Sequence, residues 1–232
     1  MIKLEKTSVM NMDNAIRGAR NPMNSWDRGD SYSTISHEDG LEYEDCLPKF
    51  VLGPNDLALA RKLIKAGSDH RKFLRQIFVS VDITAPLYWW KEYDTYKVGT
   101  TANSCSTMHK IHIKEFTIDD FSHEHLGIND GAPGIYGEWN FEYFLHETIR
   151  GLNAAREVYI QTKNKDFWWQ MIQLLPSSYN QLRTVTLNYE TLLNQYHARK
   201  HHKLDEWHTY CDWIETLPYF KEMCLEDKTD GE

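Results

Sequence analysis

A short segment with alternating side chains places the strongest constraint on the fold of this chain. Its aliphatic positions are Ile77, Val79, Val81 and Ile83, and the residues between them are Phe78, Ser80 and Asp82. A period of two residues is typical of a strand with one buried face. The chain is therefore expected to contain a sheet, to which the surrounding sequence adds helices.

Helix signals flank this strand on both sides. Pro54 stands at a helix start and Gly67 at a natural stop, while Pro86 opens a helix that runs through a tryptophan pair to Lys97. Helical spacing also predicts segments at Asn14–Arg20, Trp139–Tyr159, Asp166–Leu175, from about Arg183 onward, and Asp205–Leu217.

The length of 232 residues favours a single domain covering residues 1–232. Residues 1–50 are expected to form an irregular lead-in that includes a polar loop, Asn21 to Asp45. Residues 219–232 are expected to form a polar tail.

Three polar residues near the C-terminus have a spacing that suggests a ligand site. Asn188, Asn194 and Arg199 follow Leu175-Pro176. On one helix they fall at roughly 0°, 240° and 20°, so Asn188 and Arg199 share a face. They are suited to hold two ends of an extended polar ligand such as a nucleotide. The alternative is a solvated polar helix face.

This spacing resembles the C-terminal motif of the flavin-dependent thymidylate synthases, the ThyX family. Two further stretches are similar to that family, namely Ala66–His70, with its glycine and histidine, and Asn103–Ser106. The resemblance implies an α+β fold with a small, mostly antiparallel sheet flanked by several long helices.

The resemblance also implies an activity, the reductive methylation of C5 of dUMP or a related uracil nucleotide. FAD is the implied cofactor, and NADPH and methylenetetrahydrofolate are the implied co-substrates. Asn188, Asn194 and His70 are implied to bind the flavin. Arg199 and Ser106 are implied to be catalytic and, with Asn103, to bind the substrate. A site shared between the subunits of a homotetramer is implied as well.

The sequence departs from the family where an Arg-His-Arg signature is expected. The segment Trp89–Tyr96 carries aromatic and acidic residues there, Ile172 replaces an arginine before Leu-Pro, and Glu190 replaces an arginine between the two asparagines. The alternative function is therefore a non-catalytic protein with the ThyX fold that binds a nucleotide or acts as an accessory factor.

The aromatic and acidic side chains between Tyr88 and Tyr96 have two interpretations each. Pairs such as Tyr88 with Trp89, or Tyr93 with Tyr96, are suited either to stack on a flavin or pyrimidine ring or to fill the core. Glu92 and Asp94 are expected to pair with Lys91, Lys97 or Arg75, or else to bind a ribose hydroxyl.

Charge and cysteine content limit the classes of partner and metal site that the chain can have. The formal net charge of −8 disfavours a nucleic acid polymer as partner. The basic run Arg199–Lys203 is suited either to one phosphate or to a helix C-terminus. The four cysteines lack Cys-x-x-Cys pairing, and His123-Glu124-His125 lacks a metal-binding spacing, so no metal is expected. The absence of a signal segment or membrane span predicts a cytoplasmic protein.

Overall fold

The computed structural model describes residues 2–35, 48–126 and 141–225. Several sequence predictions lie partly or wholly outside the described residues: the end of the Asn21–Asp45 loop, the start of the helix from Trp139, and the end of the tail after residue 225.

The architecture is α+β, as predicted. The strands are β1 (Lys3–Met10), β2 (Tyr32–Ile35), β3 (Pro48–Val51), β4 (Phe78–Pro86), β5 (Thr101–Ser104) and β6 (Asn180–Asn188). Four of them form an antiparallel sheet in the order β1-β4-β6-β5. Strands β2 and β3 form a separate antiparallel pair in which Tyr32 lies opposite Val51.

The α-helices in the described part of the chain are α1 (Met12–Gly18), α2 (Pro54–Lys65), α3 (Leu87–Tyr93), α4 (Phe141–Thr162), α5 (Lys165–Leu174), α6 (Tyr189–Arg199), α7 (Asp205–Glu215) and α8 (Phe220–Cys224). Several local predictions are confirmed. Helix α2 starts at Pro54 and is followed by Gly67, whose φ of 102° is a backbone conformation that favours glycine. Strand β4 buries alternate residues, as its pattern predicted.

One predicted helix start was wrong. Residues from about Arg183 were expected to be helical, but they lie in β6, which extends to Asn188. Strand β6 lies between β4 and β5, and it buries Val185 and Leu187 on one face. Its β-branched residues suit a central strand, and the ladder to two neighbours overrides local helix propensity.

The N-terminal lead-in is more regular than the sequence indicated. Strand β1 occupies Lys3–Met10, and the short helix predicted at Asn14–Arg20 is α1, two residues earlier. Beyond Pro218, α8 buries Phe220 and Met223. The part of the polar tail up to residue 225 is therefore anchored by apolar burial.

The chain divides into two compact units. The first comprises Met1–Glu5, Asp82–Thr95 and Ala102–Thr184, and the second comprises Lys6–Val81, Tyr96–Thr101 and Val185–Glu232. The prediction of a single domain stays a prediction.

Each unit has its own buried centre. In the first, α4 packs on α5. The buried residues there are Ile111, Phe116, Phe121, Leu145, Ile149, Leu152, Ala155 and Met171. In the second, α6 packs on α7, and α2 packs on α8. The largest buried side chains of this unit are Trp207, Tyr189, Tyr210 and Phe220.

Within the described ranges, no helix combines the length and the apolar character needed to cross a membrane.

Candidate functional site

The predicted site residues are divided between the two units. Asn103 and Ser106 belong to the first unit, and His70, Asn188, Asn194 and Arg199 belong to the second. Each group is described within its own unit.

In the second unit, Asn188 is the N-cap of α6. Its Oδ1 accepts hydrogen bonds of 3.0 Å from the backbone N–H of Thr191 and 3.2 Å from the Thr191 hydroxyl. Asn188 is 8% exposed. An asparagine in this place satisfies a backbone N–H that the helix leaves without a partner. The carboxamide oxygen therefore stabilises the start of α6.

The backbone at Gly99 closes tightly over this cap. Gly99 has a φ of 74°, and a Cβ at that position would lie 2.8 Å from both Asn188 Nδ2 and Thr191 Oγ1. The Thr191 hydroxyl is also 3.3 Å from the carbonyl oxygen of Val98. Only glycine fits this approach without a shift of the neighbouring atoms.

Asn194 lies next to a cluster of charges at the start of α6. Its Oδ1 accepts a hydrogen bond of 3.2 Å from Arg71 Nη2. The Nε of Arg71 donates to Glu190 at 3.1 Å, and Arg75 donates to both oxygens of the same carboxylate. The expected arginine between the two asparagines is Glu190 in this chain, yet Glu190 brings two guanidinium groups to that place.

The ionisation of Glu190 is set by these two arginines. Burial acts to raise the pKa of Glu190, but hydrogen bonds from Arg75 and Arg71 outweigh it and hold the pKa below its usual range. Arg75 was expected as a partner of Glu92 or Asp94, and its partner is instead Glu190. The cluster carries three charged groups with a net charge of one positive unit.

Arg199 lies between two aromatic rings at the C-terminal end of α6. Its Nε donates a hydrogen bond of 2.8 Å to the hydroxyl of Tyr96. The guanidinium carbon is 4.8 Å from the ring centroid of Trp207 and 5.5 Å from that of Tyr96. These distances are typical of cation–π contacts. The two rings therefore fix the position of the guanidinium group.

The three α6 residues do not meet at one point. Asn188 and Arg199 stand at opposite ends of the helix, about 16 Å apart along its axis at 1.5 Å per residue. Asn188, Asn194 and Arg199 contact different neighbours among the described residues. A ligand that touches both ends would have to extend along the helix.

His70 lies in the turn that follows Gly67. Its backbone N–H bonds to the carbonyl of Gly67 at 3.0 Å, and the residue is exposed. The next residue, Arg71, belongs to the Glu190 cluster. The turn thus places an exposed imidazole beside Arg71 in the sequence.

In the first unit, Asn103 and Ser106 lie at the end of the edge strand β5. Both residues are exposed, and Ser106 Oγ accepts a hydrogen bond of 3.0 Å from the backbone N–H of His109. The backbone of Cys105 between them bonds to Leu182 at 2.9 Å. This segment therefore presents short polar side chains from an anchored backbone.

The segment in which the resemblance predicted Arg-His-Arg contributes three rings to the core. Trp89, Trp90 and Tyr93 are at most 2% exposed, and the rings of Trp89 and Tyr93 stack with centroids 4.9 Å apart. Of the two interpretations of these aromatic residues, core packing is confirmed for these three.

A cation from β6 covers this aromatic group. The guanidinium of Arg183 lies 4.2 Å from the ring centroid of Trp90, and its Nη1 is 2.7 Å from the carboxylate of Asp94. Its Nε bonds to Gln181 Oε1 at 3.0 Å. Asp94 was expected to pair with Lys91, Lys97 or Arg75, and its partner is instead Arg183. Sequence inspection missed Arg183 because the segment was interpreted as a helix.

The His123-Glu124-His125 run forms local contacts. The His123 ring nitrogen Nδ1 lies 2.9 Å from the carbonyl of Phe121, and Glu124 accepts from Ser122 at 2.8 Å. Within residues 2–35, 48–126 and 141–225, no group of three or more His, Cys, Asp or Glu side chains is arranged to hold a metal ion.

Comparison with solved structures identifies proteins that have a similar architecture. Thymidylate synthase X from Helicobacter pylori, solved with FAD and dUMP, matches with a TM-score of 0.64 over 98% of both chains at 14% identity. The chain has a ThyX-like fold. A second Helicobacter pylori ThyX structure matches with a TM-score of 0.62 over 97% of this chain and 98% of that one, also at 14% identity.

A nucleotide methylase also has a similar structure. The UMP/dUMP methylase PolB from Streptomyces cacaoi, bound with 5-Br dUMP, matches with a TM-score of 0.55 at 15% identity, covering 93% of this chain and 88% of PolB. No family model and no curated protein matches the sequence. Because the identities are this low, the matches establish the fold alone.

Proposed function

We propose that this chain is a ThyX-like enzyme that methylates C5 of dUMP or a related uracil nucleotide, with FAD as cofactor and NADPH and methylenetetrahydrofolate as co-substrates. One observation carries the proposal: within a fold matched over 98% of the chain, α6 presents Asn188, Asn194 and Arg199 at its start, middle and end. A uracil nucleotide is proposed as substrate because the matched structures contain dUMP or 5-Br dUMP.

Arg199 is proposed to bind and polarise the nucleotide. The rings of Trp207 and Tyr96 hold its guanidinium, and the Tyr96 hydroxyl accepts from Nε. A side chain that is already ordered loses little conformational entropy when a ligand binds. A guanidinium remains charged at all physiological pH values, so it is suited to an anionic or carbonyl oxygen.

The donors around Asn194 fit an anionic dinucleotide cofactor. Arg71 and Arg75 supply two guanidinium groups near Asn194, and the exposed His70 precedes Arg71 in the sequence. Asn188 supplies a second carboxamide at the start of α6. The two guanidinium groups can take the role of the arginines that α3 lacks. A bound flavin supplies hydride transfer, while the protein supplies binding and orientation.

Ser106 and Asn103 are proposed to contact the substrate. The Ser106 oxygen accepts from the backbone of His109, so its own proton is free to be donated to a substrate oxygen. The exposed amide of Asn103 offers both donors and acceptors.

A homotetramer is proposed as the assembly. Exposed aromatic side chains at the start of α4 support a subunit interface, since Phe141, Tyr143 and Phe144 are 42–57% exposed. Light scattering of the purified chain tests this, and a monomer at micromolar concentration would oppose it.

A test of the enzyme begins with flavin binding. The purified chain should be yellow, with absorbance near 450 nm, roughly as for flavins in general. FAD and dUMP at about 100 times their dissociation constants should each stabilise the fold by about 2.7 kcal/mol. The chain should then convert dUMP to dTMP with NADPH and methylenetetrahydrofolate. Flavin binding without conversion would refute the proposed reaction.

A second function is favoured by how the site groups are used within the chain. The Asn188 oxygen caps α6, Arg199 donates to Tyr96, and α3 carries buried rings where the family has arginines. These contacts suit a non-catalytic nucleotide-binding or accessory protein with the same fold. Stabilisation by dUMP in a colourless protein that FAD does not stabilise would favour this second function.

A further inference from the structure

The first unit contains a cavity of about 330 Å³ where α4 ends and α5 begins. Its wall includes His109, His112, Lys163, Lys165, Tyr159 and Trp168. The proposed enzyme does not use any of these side chains.

The cavity is basic in an acidic protein. Two lysines and two histidines line it, and no described lining residue is a carboxylate, although the chain has a net charge of −8. Within the described residues, neither Lys163 nor Lys165 forms an ion pair. Like charges gathered without a counterion create a positive potential that attracts an anion.

Aromatic rings hold the two ammonium groups in place. Lys163 Nζ is 5.7 Å from the ring centroid of Tyr159, and Lys165 Nζ is 5.9 Å from that of Trp168 and 6.0 Å from that of Trp169. Cation–π contacts restrict a lysine without neutralising its charge. The positions of both cations are therefore restricted before an anion arrives.

The segment from Met108 to His112, which forms another part of the wall, is hydrogen-bonded to α4 and α5. Trp168 Nε1 donates to the carbonyl of Met108 at 2.9 Å, and Arg156 Nε donates to the carbonyl of His112 at 2.9 Å. The His112 ring lies edge-on to Tyr159 with centroids 5.0 Å apart. Its Nδ1 is buried and has no hydrogen-bond partner among the described residues.

We propose that this cavity, the α4–α5 anion site, binds a phosphate group. A phosphate carries close to two negative charges at neutral pH and matches two ammonium groups better than a single carboxylate does. The volume is within the range of small-molecule sites, and the rings offer apolar contact to the rest of the ligand. The phosphate belongs either to a nucleotide or to free inorganic phosphate.

Calorimetric titration of the full chain in a phosphate-free buffer of low ionic strength tests the site. The probes are inorganic phosphate, dUMP and deoxyuridine. The variants are Lys163→Gly, Lys165→Gln and the double variant. Lys163 has a φ of 56°, a conformation that glycine adopts more readily, so Lys163→Gly removes the cation without straining the backbone. Circular dichroism checks the fold of each variant.

Lys110→Gln is the matched control, because it removes one positive charge from the segment that carries His109 and His112, at a residue outside the lining. Phosphate should bind the wild-type chain, the double variant should bind it at least tenfold more weakly, and Lys110→Gln should stay within twofold of wild type. No phosphate binding, or an equal loss in Lys110→Gln, would overturn the proposal.

The remaining probes identify the source of the phosphate. If dUMP binds the site more tightly than inorganic phosphate does, and deoxyuridine does not displace phosphate, the ligand is a nucleotide. If dUMP and inorganic phosphate bind with equal affinity, the ligand is free phosphate. The result is independent of the proposed enzyme, because phosphate binding in a chain that binds no FAD would leave this site standing.

Discussion

The Nε of Arg199 donates a 2.8 Å hydrogen bond to the hydroxyl of Tyr96, and the guanidinium lies against the ring of Trp207. A residue of the irregular loop before β5 thus orients the last charged residue of α6. This contact links a proposed ligand-binding cation to Tyr96, a residue outside α6.

Replacing Arg199 should weaken uracil-nucleotide binding. Arg199→Ala should cost about 1.5 to 3 kcal/mol of dUMP binding free energy, the scale of a hydrogen bond to a charged group. Calorimetry with dUMP measures it. Tyr96→Phe is the control, since it keeps the ring and removes only the 2.8 Å bond, and its effect should be smaller. An unchanged dUMP affinity in Arg199→Ala would remove Arg199 from the site.

Substitution can separate the observed cap of α6 by Asn188 from the proposed flavin contact of the same side chain. Asn188→Ala should lower the free energy of unfolding by about 1 kcal/mol, because α6 loses its cap. Asn188→Asp should keep the cap, since its carboxylate oxygen can accept from Thr191, but it loses the Nδ2 donor. Chemical denaturation and FAD titration measure the two effects. Full FAD affinity in Asn188→Asp would show that the Asn188 side chain only caps α6.

Neutralising Glu190 should release two arginines. Glu190→Gln removes the negative charge that pairs with Arg71 and Arg75 and should reduce stability by about 1 kcal/mol, because the Arg75 side chain is half exposed. The low pKa of Glu190 means that this stabilisation is present above about pH 4.5 and is lost as the pH falls through the lower folded-state pKa. Urea unfolding at pH 7 and pH 3 should show a smaller difference between variant and wild type at pH 3.

A buried ion pair should dominate the stability of the N-terminal region. Arg20 and Asp56 are bonded at 2.5 Å with side chains 6% and 4% exposed, and Asp56 also accepts from the backbone of Asp30 and Ser31. Asp56→Ala should cost about 3 kcal/mol or more, because it leaves a buried guanidinium without its counterion. Thermal unfolding measures it. Asp27→Ala, at an exposed position of the same region, is the control and should change little.

The double variant Arg20→Met/Asp56→Leu separates charge pairing from packing. If it is as stable as wild type, the pair contributes specificity rather than stability, as replaced buried pairs have done elsewhere. If Asp56→Ala alone leaves the melting temperature unchanged, the ion pair does not stabilise the N-terminal region.

Local patterns in the sequence determined part of this fold. The alternation from Ile77 to Ile83 specifies β4, because the period of two allows only one face to be buried. Pro54 and Gly67 specify the ends of α2 through their backbone preferences.

Only the tertiary structure decided the rest. Residues 183–187 were predicted to be helical, and they form a strand because β4 and β5 offer hydrogen bonds on both sides. The ion pairs of Glu190 with Arg71 and of Arg183 with Asp94 join residues 119 and 89 positions apart. No local pattern specifies such pairs, since the free energy that selects them arises when distant segments are brought together by burial of the core.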